Sequence, residues 1–312
     1  MDQFKKLHIV GVGVTHSIAP AMHNYIAVTL SLPCTFHATE CAALSDLLAL
    51  ARDPQTAGLV VTMQYKSAIM PHLDEADELA TFIGACNNVY YSGNRLCGTN
   101  TDWRGIKGCL LQKGDGARRP SAGRPGTALV VGAGGASRAA VYALSQHLHC
   151  ATIYVLNRDD DEVRALIRDA GKLPVVPEIT PVRTLEQGRE LQSKPPYYVV
   201  GIVPDLEPTT EAEKTVAAIL ELFLAQPGKG VLLDMCFNPR RTRIITLGER
   251  LGWATVEGTH EIGYQMEEQW RLWAGEKAAA LDWEGACAVE GAPAGGGGES
   301  GDQRVDKSAL HG

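Results

Sequence analysis

The stretch "TALVVGAGGASRAAVYALSQH", residues 127–147, constrains the fold of this chain more than any other. An apolar strand runs into Gly132, Gly134 and Gly135 and then into a helix, which is the order a dinucleotide-binding turn requires. Glycine permits the tight turn and lets the backbone approach a pyrophosphate. The helix amino terminus then offers the anion unpaired N–H groups and the positive end of its dipole. Ala133 and Ala136 complete the turn, and Ser137 stands where a third glycine would, small enough for close helix–strand packing. A bare glycine pattern is a weak sign. Here the next strand and helix, "ATIYVLNRDDDEVRALIRD", follow in order, and the segment reads as a Rossmann, doubly wound parallel-sheet domain binding NAD or NADP.

The end of that second strand bears on the choice of cofactor. An acidic residue about twenty positions past the turn holds the ribose hydroxyls of NAD, whereas an arginine there accommodates a 2′-phosphate. "LNRDDD" supplies both: Asn157 and Arg158, then Asp159 to Asp161, whose charge repels a phosphate. The aspartates have a plainer use as the N-cap and first turn of the next helix. The balance of charge favours NAD.

Elsewhere strands and helices alternate, which predicts a largely parallel α/β protein. "KLHIVGVGV", "CTFHATE" and "GLVV" read as strands, with helices over "SIAPAMHNYIAVTLSL", over "AALSDLLALARD" and after Lys66. "ACNNVYYSGNRLCGTNTD" reads as a hairpin turning at "SGN". "DGARRPSAGRPG" is a loop or domain joint. Beyond the glycine turn, "YYVVGIVP" and "GVLLDMCF" are strands, and "RIITLGERLG" and "EIGYQMEEQWRLWAG" are helices. From Val289 the composition holds too little apolar residue to pack, so 289–312 reads as a disordered tail.

The bulk properties narrow the function. A chain of 312 residues can bury two cores, and a net charge of -7 with no basic stripe argues against nucleic acid. No apolar run is long enough for a signal peptide or a membrane span. The eight cysteines form no CxxC pair and no metal-ligand spacing, which is the pattern of reduced thiols in a cytoplasmic protein without a metal.

The remaining motifs converge. "GVGVTHSIAPAMHN" matches "G…HSxSPxxHN", "VVTMQYK" matches "NVTxPxK", "GACNN" matches "GAxNT", and "GTNTDWRG" matches "GxNTDxxG". Near the end, "DMCFNPRRT" and "EGTHEIGYQMEEQWRLWAG" correspond to "DxxYxPxxT" and "GxxMLxxQxxxxFxxW". Through these motifs the chain resembles the shikimate/quinate dehydrogenase family from near residue 8 to about 275. The resemblance implies an amino-terminal α/β substrate lobe, 1–105, completed by helices in 256–288, around a Rossmann domain at 106–255. It implies a small-molecule substrate of the quinate or shikimate class, a place in quinate metabolism or aromatic amino acid biosynthesis, and a monomer or homodimer.

By the same resemblance Lys66 and Asp102 form the proton-transfer pair. Oxidising a ring hydroxyl needs a base for the O–H proton while hydride leaves for the nicotinamide. A partly desolvated lysine sheds its proton more readily, so its neutral amine can serve, with Asp102 orienting it. Taken alone, Lys66 is a lysine reaching solvent and Asp102 a helix N-cap. Ser17 is implied at the substrate carboxylate, Thr62 and Asn87 at ring hydroxyls, Gln265 at a hydroxyl, and Gly258 and Glu78 at the cofactor. Their plain alternatives are a helix cap for Ser17, a turn for Asn87 and an exposed helix position for Gln265.

Several substrate positions depart from the shikimate pattern. Ala19 replaces the second serine, Val60 the asparagine of "NVT", Asn88 the threonine after Asn87, and Phe237 a tyrosine, while "GIVPDLEP" replaces "NATPxG". Each lost donor costs about 1 kcal/mol or more with an unchanged ligand. The drier pocket would suit quinate or a related ring acid, and the sequence does not choose between them. It also leaves open a sensor of the pathway that kept the fold, or a dehydrogenase of another cyclic hydroxy acid such as an amino-shikimate.

Overall fold

Two six-stranded sheets organise the computed structural model, which describes residues 4–114, 119–121, 123–124 and 126–280. The tail expected at 289–312 and part of the expected joint around 115–125 lie outside the described residues. The first sheet comprises β1 (Lys5–Gly11), β2 (Cys34–Glu40), β3 (Thr56–Val61), β4 (Glu75–Ala76), β5 (Asn88–Ser92) and β6 (Arg95–Thr99). Its order is β2-β1-β3-β5-β6-β4. β1 is buried along most of its length, as a near-continuous apolar run in a sheet covered on both faces should be. The sheet is mixed: β1 pairs parallel with β2 and β3, whereas β5 runs antiparallel to both β3 and β6. The β5–β6 hairpin turns through Gly93 and Asn94, with Gly93 at φ 62°.

Four helices lie in this part of the chain: α1 (Ala19–Thr29), α2 (Leu44–Ala51), α3 (Glu78–Ile83) and α4 (Asp102–Lys113), the last packing against the strands Val231–Asp234 and Ala254–Glu257 of the second sheet. The helix expected directly after Lys66 does not form. The chain makes turns, then a short 3-10 turn over Met70–His72, and becomes α-helical only at Glu78. Pro71 explains this, since a longer helix would lose its N–H bond and set its ring against a carbonyl one turn earlier.

The second sheet is parallel throughout: β7 (Gly126–Val131), β8 (Cys150–Leu156), β9 (Glu178–Pro181), β10 (Tyr198–Gly201), β11 (Val231–Asp234) and β12 (Ala254–Glu257). Its order, β12-β11-β10-β7-β8-β9, is that of a Rossmann fold, with the direction of winding reversing between β7 and β10. Its helices are α5 (Gly135–Tyr142), which runs on as a π turn over Ala143–His147, α6 (Asp160–Ala170), α7 (Leu185–Glu190), α8 (Glu211–Leu224) and α9 (Arg243–Arg250). The sequence reading did not anticipate β9, β12, α7 or α8.

The last long helix, α10 (Thr259–Ala274), packs on α4 and on β5. Its Met266, Trp270 and Trp273 enter the apolar cluster of β1, α1 and β2. Trp273 Nε1 donates to Val89 O at 3.1 Å, and glycine at position 58 leaves room for the indole. Ile106, Cys109 and Leu110 of α4 belong instead to the cluster beneath the second sheet. Thus α4 and α10 meet with one rooted in each core. Among the described residues no helix is long and apolar enough to cross a membrane.

Candidate active site

Lys66 follows β3 by a short turn in which Tyr65 N bonds Thr62 O. Its Nζ donates to Asp102 Oδ2 at 2.6 Å, with the two side chains only 13% and 4% exposed. Asp102 does not cap α4: Thr101 holds the cap position and Asp102 is the first helical residue, where a carboxylate also suits the helix dipole. Asn87 connects the pair to the surrounding structure. Its Nδ2 donates to Asp102 Oδ1 at 2.7 Å and to Gln265 Oε1 at 2.9 Å, while its Oδ1 accepts the Thr101 N–H at 2.7 Å. Neither Asn87 nor Gln265 takes its plain alternative, because both are buried. Gln265 Oε1 also accepts from Thr101 Oγ1 at 3.0 Å and Gln269 Nε2 at 3.2 Å. Lys66, Asp102, Asn87 and Gln265 therefore share one network. In such a place removal of one charge leaves its partner buried and unpaired, which is strongly destabilising.

The sequence reading missed one member. Glu261, in the first turn of α10, is 6% exposed, and its Oε1 accepts from Gln265 Nε2. Burial, followed by the charge of Asp102, pushes its carboxyl up to about 8, while Lys66 pulls the other way. Gly105 of α4 makes the space, since a Cβ there would come within 2.6 Å of Glu261 Oε1. The available signal was a carboxylate at the methionine position of the "GxxMLxxQ" pattern.

Ser17 and Thr62 lie at the carboxyl ends of β1 and β3, the edge of a parallel sheet where ligands bind. Ser17 Oγ accepts from Ala19 N at 3.2 Å, and Thr62 Oγ1 donates to Val10 O at 2.9 Å. Of the departures from pattern, Ala19 belongs to the cluster of Leu7, Ile9 and Trp270, and Val60 packs against it. Val60 is the register partner of Asn88. Asn88 is fully buried, and its amide nitrogen and oxygen have no hydrogen-bond partner among the described residues. Phe237, after β11, is half-buried.

At the β7–β10 switch point a cavity of about 530 Å³ opens against Gly132, Ala133 and Gly134. Gly132 has φ +117°, which side chains rarely adopt, and a Cβ on Gly134 or Gly135 would meet nothing within 4 Å. Gly135 and Ala136 begin α5 beside it. The cavity continues past Asn157 and Arg158 to Glu213 of α8. These features fit a dinucleotide: an open glycine backbone, a helix amino terminus and a cleft of adequate volume. From the first half of the chain, Met63 lines the same cavity.

The second-strand residues divide. Arg158 is ion-paired with Glu213, whose carboxyl is lowered to about 2 by the Thr210 and Thr209 backbone N–H groups. Asn157 Nδ2 donates to Glu162 Oε2 at 2.9 Å. Asp159 caps α6, accepting from Asp161 N at 2.8 Å and Glu162 N at 3.2 Å, as its plainer alternative required. Asp159, Gly258 and Glu78 are not among the cavity-lining residues. At Gly258, which precedes α10, a Cβ would lie 2.5 Å from Met235 O, so no side chain fits. Glu78 is exposed in the first turn of α3, which packs on α5 and α6.

Comparison with known proteins follows the same lines. Residues 9–89 match the family described as the shikimate dehydrogenase substrate binding domain. In structure the chain is similar to the dehydroquinate dehydratase and shikimate dehydrogenase from S. pombe AroM, with TM-score 0.70 and 29% identity, over 88% of this chain and 53% of that one. It thus spans about half the length of that relative. It is also similar to shikimate 5-dehydrogenase (AroE) from Thermus thermophilus in complex with NADP(H) and shikimate, with TM-score 0.67 and 27% identity, over 91% and 97% of the two chains. In sequence it is 32% identical over 289 residues to a quinate dehydrogenase of Emericella nidulans, covering 86% of this chain and 87% of that one. A match of that depth across nearly the whole of both proteins shows that the chain belongs to the shikimate/quinate dehydrogenase family.

Proposed function

We propose that this chain is a nicotinamide-dependent dehydrogenase interconverting quinate or shikimate and the corresponding 3-dehydro ketone, with Lys66 and Asp102 as its proton-transfer pair. The observation that carries the reading is the buried ion pair, held at 2.6 Å on the loop whose Met63 lines the glycine-turn cavity. Gly132, Ala133 and Gly134 would hold the pyrophosphate of a nicotinamide dinucleotide, which would supply the hydride acceptor. Lys66, as the amine, takes the hydroxyl proton, and Asp102 keeps Nζ aimed at that oxygen. In the ketone-reducing direction the Lys66 ammonium returns the proton. Burial excludes bulk water, which strengthens both interactions. Ser17 serves the substrate carboxylate, and Thr62, Asn87 and Gln265 the ring hydroxyls. Gly258 and Glu78 are assigned to the cofactor by family resemblance, and neither lines the glycine-turn cavity. The lobes are those of 1–105 with 256–288, around 106–255, a division supported by Trp270 and Trp273 packing into the first-half cluster.

NAD is the favoured cofactor. Arg158, the side chain that would greet a 2′-phosphate, is engaged by Glu213, and Glu162 adds a second carboxylate to the same wall. Quinate is favoured over shikimate by the apolar surroundings of Ala19 and Val60, and the 32%-identical relative is a quinate dehydrogenase. The test pairs NAD or NADP with quinate or shikimate and follows reduced nicotinamide by absorbance. NAD with quinate should give the fastest turnover, and Lys66→Ala should abolish it. Tight ligand binding without turnover in any pairing would refute the enzyme and favour a sensor. Unimpaired turnover by Lys66→Ala would refute the residue assignment.

A further inference from the structure

Glu261 is a third ionisable group in the buried network, and the reaction as described makes no use of it. Its Oε1 accepts from Gln265 Nε2, Gln265 Oε1 accepts from Asn87 Nδ2 at 2.9 Å, and Asn87 Nδ2 donates to Asp102 Oδ1 at 2.7 Å. Asp102 Oδ2 then holds Lys66 Nζ at 2.6 Å. The direction of this chain matters. An amide has a donor end and an acceptor end. With its nitrogen drawn to Glu261, Gln265 must turn its oxygen to Asn87. The Asn87 N–H groups then point at Gln265 and Asp102, and Asp102 keeps one oxygen for Lys66.

We propose that Glu261 is a positioning residue for the proton-transfer pair: through Gln265 and Asn87 it orients Asp102, and its own ionisation governs how firmly Lys66 holds its proton. The inference rests on the reading of Lys66 and Asp102 given above. An apolar side chain would fill this site without the desolvation cost of a carboxyl. The groups facing Glu261 are Asp102 and Cys109 of α4 and Lys66 of the loop after β3. Of the other charges on and around α10, Glu268 pairs with Arg104 and Arg271 and Glu257 of β12 with Arg240, Tyr90 of β5 faces Arg271, Lys107 of α4 lies over the Trp103 ring, and Glu267 is exposed.

Desolvation and the charge of Asp102 outweigh the pull of Lys66 and bias the Glu261 carboxyl toward its protonated form. As pH rises it ionises, leaving two carboxylates around one ammonium. The added negative charge stabilises the ammonium and delays release of the Lys66 proton.

The test is the pH profile of kcat/KM for the full chain and for Glu261→Gln, Glu261→Met and Lys66→Ala, in both reaction directions. Glutamine keeps the acceptor but cannot ionise. In Glu261→Gln the rising limb for alcohol oxidation should move to lower pH by roughly one unit, and the falling limb for ketone reduction should move with it. Glu261→Met loses the acceptor as well, so its plateau should drop along with the shift. Limbs unmoved in Glu261→Gln, with only the amplitude changed, would overturn the proposal and leave a structural role. If Lys66→Ala turns over normally, the reading of the pair itself fails, a result distinct from unmoved limbs.

Discussion

Replacing Asn87 by alanine should cost far more than an amide at a strand's start ordinarily would. Asn87 is 1% exposed, so nothing it leaves behind can turn to bulk water. Gln265 Oε1 keeps donors from Thr101 Oγ1 and Gln269 Nε2 and is not orphaned. The Thr101 N–H is orphaned, having Asn87 Oδ1 as its acceptor at 2.7 Å. A buried donor left unsatisfied costs about 1–3 kcal/mol. Asp102 Oδ1 also loses its closest donor, and a hydrogen bond to a charged group is worth about 1.5–3 kcal/mol. Together Asn87→Ala should destabilise the protein by about 3–5 kcal/mol, a large part of the roughly 5–15 kcal/mol a domain possesses. Equilibrium urea unfolding measures this. The accompanying kcat/KM should fall about 100-fold as Asp102 loses its orientation. Asn87→Asp is the control with a sign: it keeps an oxygen for Thr101 but faces Asp102 with a like charge, so it should be less stable at pH about 8 than at pH about 5. A loss below about 1 kcal/mol for alanine, with turnover intact, would refute the view that Asn87 braces the pair.

Two further outcomes follow. Glu213→Gln should release Arg158 toward a 2′-phosphate, lowering the ratio of KM for NADP to that for NAD by about tenfold, since one charge-assisted bond is worth roughly 1.5–3 kcal/mol; an unchanged ratio would count against Glu213 as the selector. Burial lowers the His23 imidazole from 6.5 to about 3. The unfolded chain therefore binds a proton between those limits that the folded chain refuses, so stability is full above about pH 6.5 and falls as pH drops toward 3. The lost stabilisation is about 5 kcal/mol at most, and His23→Phe should flatten that part of a urea-midpoint-against-pH curve.

What could be read along the chain was whatever a local pattern encodes. The glycine turn, the buried strands of the second sheet's centre and the hairpin at Gly93 each carry their signal within a few residues. β9 and β12 do not, because each is a four-residue edge strand, only partly buried, too short for any period to show. Helix α8 had a signal that went unused: Thr210 and Glu213 form a capping box ahead of "TVAAILELFL". That omission mattered, because α8 carries the carboxylate that engages Arg158. The helix expected after Lys66 failed for the opposite reason, a helical composition read across Pro71.

At the site, motif spacing named Lys66, Asp102, Asn87 and Gln265, but it could not say which way the side chains turn. That is decided by packing between α4 and α10, which belong to different cores. Glu261 escaped because a glutamate on a helix is ordinarily solvated, and only the space at Gly105 makes it otherwise. The losses at Val60 and Asn88 show the same limit in another form. Read along the chain, they are an asparagine missing from one motif and a threonine missing from another. In the structure Val60 and Asn88 are cross-strand partners of antiparallel β3 and β5, where side chains stand side by side on one face. The family pattern puts an amide on β3 and a hydroxyl on β5; this chain puts a methyl pair on β3 and the amide on β5. The polar group has crossed the strand pair rather than vanished. The deficit on this strand pair is therefore one hydroxyl, smaller than counting the two motifs separately implies, and a second hydroxyl is missing on α1, where Ala19 stands in place of a serine.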